Sequence, residues 1–111
     1  MLALTSSTPI FVAMAPVDLR RGFDGLMAHV QTVLEKQVLE GGLFVFTNRR
    51  KTRLRLLWWD GSGLWLATKR LERGSFDWPE GDGPSRVLRP EQLSALMTGL
   101  EVRERPGWYR R

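Results

Sequence analysis

The chain has 111 residues and a mass of 12.8 kDa, one domain's worth of protein against a usual size of roughly 100–150 residues, which excludes large nucleotide-driven machines and a self-contained recombinase. Its 42% apolar, 10% aromatic and 26% charged residues are globular composition, while zero cysteines and a single histidine, His29, exclude disulfides, thiol nucleophiles and thiolate or histidine-rich metal sites. Seventeen Lys and Arg against twelve Asp and Glu give +5 and a pI near 10.7, a surplus that favours an anionic partner, nucleic acid ahead of an acidic protein or a membrane face.

Met1 to Pro16 is fairly apolar, and Ala13-Met14-Ala15 superficially resembles a signal-peptidase site. No Lys or Arg precedes it, however, and Thr5 to Pro9 breaks the apolar run. Nowhere does the chain approach the roughly 20 apolar residues that span a bilayer. A cytoplasmic protein with no membrane partner is expected, nucleoid-associated if it binds DNA.

Ile10-Phe11-Val12-Ala13 reads as a short strand between prolines. Asp18 stands at a helix N-cap, and Phe23, Leu26, Met27, Val30, Val33 and Leu34 recur at spacings of three and four, predicting an amphipathic helix over roughly 20–36. Gly22 and Gly25 lie about one turn apart, an arrangement that permits another backbone to approach. His29 reads as a solvated or core-edge imidazole.

Gly41-Gly42 breaks the chain, and three strand-like runs follow: Leu43–Thr47, Arg53–Trp59 and Leu64–Lys69. Asp60-Gly61-Ser62-Gly63 is a tight-turn signal between the last two. On the middle run Leu54, Leu56 and Trp58 alternate with Arg53, Arg55, Leu57 and Trp59, so one face is buried while the other begins cationic and ends apolar. Phe76-Asp77-Trp78 is a short extended segment, 80–85 a loop, and Val87-Leu88 an added edge strand. Pro90 opens a second helix with Leu93, Leu96, Met97 and Leu100 as its stripe and Gly99 as its C-terminal cap. These elements predict one α+β domain over residues 1–101, followed by a polar, flexible tail at 102–111. The domain is an antiparallel β-meander of three to five strands packed against an N-terminal amphipathic helix and a short C-terminal one.

The charge is concentrated. Residues 1–47 carry net −1 and 74–111 are balanced, whereas 48–73 carry eight basic groups against Asp60 and Glu72. Arg49, Arg50, Lys51, Arg53 and Arg55 lead into the middle strand, and Lys69 and Arg70 end the third. In a meander these two groups return to the same end of the sheet. A two-stranded ribbon fits the DNA major groove, and Arg reads phosphates and guanine edges bidentately. With five such side chains on phosphates, log K is expected to fall with log salt at a slope of about −4 to −5. Trp59 and Trp65 add stacking if exposed. The alternative is that the cations only solvate a sheet face or blunt an edge, with the tryptophans in the core.

Catalytic patterns are missing. Asp18, Asp24, Asp60, Asp77 and Asp82 fall on a cap, a helix surface, a turn, a strand end and a loop. No paired-acid spacing, phosphate-cradling Gly-Lys-Ser/Thr loop or nucleophile elbow occurs. No enzyme activity, catalytic residue, cofactor or metal is expected; acids converging only in the fold would revive a catalytic reading.

Four blocks in order and spacing carry a resemblance: Pro16-Val17-Asp18-Leu19-Arg20-Arg21-Gly22-Phe23-Asp24-Gly25-Leu26, Gly42-Leu43-Phe44-Val45-Phe46-Thr47-Asn48-Arg49-Arg50, Trp59-Asp60-Gly61-Ser62-Gly63-Leu64-Trp65 and Lys69-Arg70-Leu71-Glu72-Arg73-Gly74-Ser75-Phe76. Over about residues 8–100 the chain resembles the TnpB (Orf2-like) accessory proteins of the insertion-sequence family numbered sixty-six, which share only a label with the RNA-guided nuclease. The resemblance implies a protein encoded beside a separate DDE-type transposase and needed for efficient transposition, with no catalytic residues to carry over. Glu35–Glu40 replaces the family's Asp-Pro-containing linker. Arg89 stands where Ser or Thr commonly precedes Pro-Glu-Gln-Leu, so the last helix is expected to lack a side-chain cap. The function expected is non-catalytic assistance of transposition, through DNA or the transposase–DNA complex held on the basic hairpin. The rival is an adaptor docking its basic face on an acidic transposase surface without touching DNA. A homo-oligomer stays open, since Gly22, Gly25 and any exposed Trp also suit a dimer interface.

Overall fold

Five strands form one sheet in a computed structural model of the chain, which describes residues 5–99. They are β1 (Ile10–Ala13), β2 (Leu43–Thr47), β3 (Arg53–Trp59), β4 (Leu64–Arg70) and β5 (Ser85–Leu88), in the order β4-β3-β2-β1-β5. The segment 43–70 is the expected meander, β2 pairing antiparallel with β3 and β3 with β4. β1, however, lies parallel to β2 and antiparallel to β5. The sheet is therefore mixed and not an antiparallel meander throughout. The intervening helix explains it: a crossover carries the chain back along the sheet, so that the strands on either side of it run the same way.

Both faces of the sheet are covered, because the alternation of side chains is apolar on both sides at the centre. All five residues of β2 are buried. Leu43 and Val45 join Ile10, Val12, Leu54, Trp58, Phe76 and Trp78 in one core, against the helix α2 (Pro90–Thr98) through Leu93 and Leu96. Phe44, Phe46 and Leu57 face the opposite way, into a second core with the helix α1 (Gly22–Thr32) through Leu26 and Val30. Asp77 is exposed between buried Phe76 and Trp78. The Trp78 indole N–H donates to the Ala13 carbonyl at 2.9 Å, which pins this segment across the end of β1.

The first helix is shorter than its apolar spacing implies. Asp18 does cap, but it caps a single 3-10 turn, Leu19–Arg21, and α1 starts after it. Gly22 separates the two at φ +74, ψ −157, a region open in practice to glycine alone. Among the described residues nothing lies within 4 Å of where its Cβ would be, so the glycine is there for its backbone and not for a close approach. At Gly25 an added Cβ would collide with the Arg21 side chain. The expected backbone approach at the pair is thus replaced by an arginine side chain. Phe23 and Val33 both remain 43% exposed, while Leu26, Val30 and Leu34, with half-buried Met27 beside them, form the stripe that packs in the second core. The 35–40 connection turns through Glu35 at φ 58 and a 3-10 turn, Val38–Glu40.

The Asp60–Gly63 turn closes the β3–β4 hairpin on the Asp60 carboxylate. Its Oδ1 accepts from the Ser62 and Gly63 backbone N–H groups, each at 2.8 Å, and its Oδ2 from the Trp65 indole N–H at 2.7 Å. Those bonds, led by that from Ser62, hold the carboxyl well below the usual carboxylate range. α2 begins at Pro90 and ends at Gly99 as the sequence predicts. Arg89 supplies no side-chain acceptor, but the Gln92 amide oxygen takes the Arg89 N–H at 2.8 Å, half of a capping box. Leu100 and the predicted tail lie outside the described residues. Among the described residues no helix is long and apolar enough to cross a membrane.

Candidate nucleic-acid interface

The connection from β2 to β3, Asn48–Thr52, is built by one asparagine. The Asn48 side-chain oxygen accepts from the Thr52 and Arg53 N–H groups at 3.0 and 3.1 Å, and its amide donates to the Thr52 hydroxyl at 3.1 Å. Lys51 takes a left-handed φ of 60 at the tip. From the other side, Phe76 N–H donates to the Lys51 carbonyl at 2.7 Å and Leu71 N–H to the Thr52 carbonyl at 2.9 Å. A loop satisfied from within and fastened from without presents its side chains at low entropic cost.

Arg49 and Arg50 project from this loop, exposed. Arg53, the first residue of β3, is exposed and directly opposite Arg70, the last of β4. Arg70 therefore meets Arg53 at one end of the sheet, the part of the expected convergence that the register supplies. Like charges directly opposite on neighbouring strands destabilise a sheet, so the pairing is costly unless an anion relieves it. Arg70 meets Glu72 at 3.2 Å, with both side chains largely exposed; an exposed pair of this kind is worth only about 0–1 kcal/mol and exchanges readily.

Not all seven predicted residues share this surface. Arg55 is half-buried on the same face, between Phe46 of β2 and Thr68 of β4. Its buried Nε has no partner among the described residues. Lys51 is also half-buried. Lys69 points to the opposite face, because adjacent strand residues alternate, and its ammonium donates to the Met97 carbonyl at the end of α2, at 2.7 Å. Lys69 is a fastener between β4 and α2. Of the seven, those exposed on the α1 side are Arg49, Arg50, Arg53 and Arg70.

Sequence reasoning missed the opposing wall. Residues Pro16 to Arg20 stand across from Asn48, Arg49, Arg50 and Arg53 and enclose an open groove of about 510 Å³. The wall is held by the Val17 N–H, which donates to the Thr47 carbonyl at 2.9 Å. Its charge is settled internally: Asp18 accepts from the Arg20 backbone at 3.0 Å and from the Arg20 guanidinium at 2.9 and 3.0 Å. The Arg20 side chain, and then its backbone N–H, lower the Asp18 carboxyl to about 2. The acid is thus neutralised where it would otherwise repel a polyanion, and Arg49, Arg50 and Arg53 set the sign of the groove. The only sequence signal was the Asp18–Arg20 spacing; the contact with Thr47 is long-range and leaves no local trace.

Of the described tryptophans, Trp58 and Trp78 are buried and Trp59 half-buried, as the core reading holds, but Trp65 is 43% exposed. Among the described residues no three of His, Asp and Glu gather as a metal site.

A family model described as "IS66 Orf2 like protein" matches residues 8–106. Two relatives from Sinorhizobium fredii, "Uncharacterized protein y4hO" and "Uncharacterized protein y4jC", are similar along most of their length. The first is 41% identical over 103 residues, 93% of this chain and 90% of the relative. The second is 45% identical over 92 residues, 83% and 79%. No solved structure matches. With the family match covering nearly all of the sheet-and-helix domain, the chain belongs to the IS66 Orf2-like family of insertion-sequence proteins.

Proposed function

We propose that the protein is a non-catalytic accessory factor for transposition that binds the DNA of its element through the groove beside the β2–β3 connection. One observation carries the reading: Arg49, Arg50 and Arg53 line a groove whose single acid, Asp18, is already paired, and Arg70 faces Arg53 across the hairpin. Four guanidinium groups on one face, with Arg53 and Arg70 in forced proximity, attract a chain of phosphates more than any single anion. Contacts of this kind position a duplex or strand and carry little sequence readout. A DDE-type transposase of the same element is the protein partner, met at the DNA.

The test uses the triple variant Arg49→Gln, Arg50→Gln, Arg53→Gln with two assays, a DNA mobility shift and a pull-down by the transposase. Loss of the shift with the pull-down retained is the expected result. The opposite outcome would make the basic face a docking surface for an acidic patch on the transposase, and the DNA reading would fall.

A further inference from the structure

Among the described tryptophans Trp65 stands apart because it is both exposed and tied down by a hydrogen bond. Its ring lies parallel to that of Trp58, at 5° and 5.6 Å between centroids, and its indole N–H is tied to Asp60 at 2.7 Å. The neighbours β3 and β4 place the two rings as a direct cross-strand pair, Trp58 inside and Trp65 outside. Among the described residues β4 is the edge of the sheet, so the stack of rings ends at Trp65 with no further strand beside it. Two residues along the same face the side chain is only Ala67, exposed, which leaves that flank of the indole low and uncrowded. One face of the indole lies on Trp58 and its N–H is tied to Asp60, so a ring that is 43% exposed is held in one orientation.

We propose that Trp65 is a stacking platform for an unpaired nucleobase, so that the protein takes single-stranded or frayed DNA along β4. The proposal rests on the DNA reading above and adds to it the kind of DNA. β4 runs from this ring to Arg70, five residues and about 17 Å away at a strand rise of about 3.3 Å. The stretch between, Leu66 to Thr68, carries no charge, and beyond it stand Arg70, Arg53 and the groove. An aromatic ring at one end of a strand and guanidinium groups at the other is the arrangement by which proteins hold single strands, a base on the ring and phosphates along the cationic track. Both Trp65 and Arg70 stand on the open edge, where a flexible strand can pass from one face to the other; a stiff duplex cannot. Because the indole is already fixed by Asp60 and Trp58, stacking on it orders no additional side chain.

The experiment compares the full chain with Trp65→Leu and Trp65→Phe, measuring anisotropy of a labelled oligothymidylate and of a labelled hairpin duplex. Trp65→Leu is expected to weaken the single strand by about 5- to 150-fold, the range for one stacked base, and to leave the duplex within about twofold. Trp65→Phe keeps a ring and is expected to retain part of the affinity, which shows that loss in the first variant is not misfolding. Equal single-strand binding by Trp65→Leu and the natural chain would overturn the platform while leaving the groove reading intact. Equal loss on both probes would overturn it as well. Failure of the natural chain to bind either probe would remove the DNA reading itself, and a change in sedimentation on Trp65→Leu would assign the ring to a second copy of the chain.

Discussion

Replacing Arg49, Arg50 and Arg53 together by Gln removes three exposed guanidinium groups from the groove face and leaves Arg70, paired with Glu72, and Arg20, paired with Asp18, without touching a buried side chain. Each phosphate neutralised on a duplex contributes about −0.9 to the slope of log K against log salt. Four contacts, with Lys51, Arg55 and Lys69 left out because they are half-buried or bonded to α2, give about −3.6 on a duplex and about −2.8 on a single strand. This is shallower than the slope expected from composition and the hairpin alone. Between 50 and 200 mM salt it amounts to a loss of about 150-fold in duplex affinity. The triple variant should retain a slope near −0.9. The assay is fluorescence anisotropy of a labelled DNA across a KCl series, with Lys69→Gln as the control whose slope should match the natural chain. A triple variant with an unchanged slope would refute the assignment of these arginines to phosphate. A Lys69→Gln variant that lost as much slope as Arg53→Gln would refute the division of the basic residues between the two faces.

Two further outcomes test how the site is held. Trp78→Phe leaves the buried Ala13 carbonyl without its donor and should lower stability by about 1–3 kcal/mol, read from urea unfolding; an unchanged midpoint would mean that the indole N–H is not what anchors the 76–78 segment. Asp18 should titrate near 2, not near 4, when followed by carboxyl NMR. Its folded pKa lies below the unfolded one, so its contribution to stability is present above about pH 4 and disappears as pH falls through 2. A midpoint near 4 would show that the Arg20 clasp is absent.

The hairpin was legible because local rules are enough to specify it. Asp60-Gly61-Ser62-Gly63 between two alternating runs encodes an antiparallel pair, and the register then places Arg53 against Arg70. The same register separates Lys69 from the cluster: being next to Arg70 in the chain puts it on the other side of the sheet. Helix α1 is shorter than its spacing implies because a period of three and four is blind to Gly22, which separates the Asp18-capped turn from the helix, and to Glu35, whose left-handed φ of 58 turns the chain away beyond Thr32.

By itself the sequence determined the family, the α+β class, three strands of the meander, the second helix and the location of the positive charge, all of which depend on residues close together in the chain. Tertiary structure alone decided that β1 runs parallel to β2, that Pro16–Arg20 faces the basic loop across a groove, and which cations share a face. Each of these turns on contacts between segments about 30 or more residues apart, such as Val17 with Thr47 or Lys69 with Met97. Such contacts are selected by burial of the whole sheet, and no short window of residues encodes them.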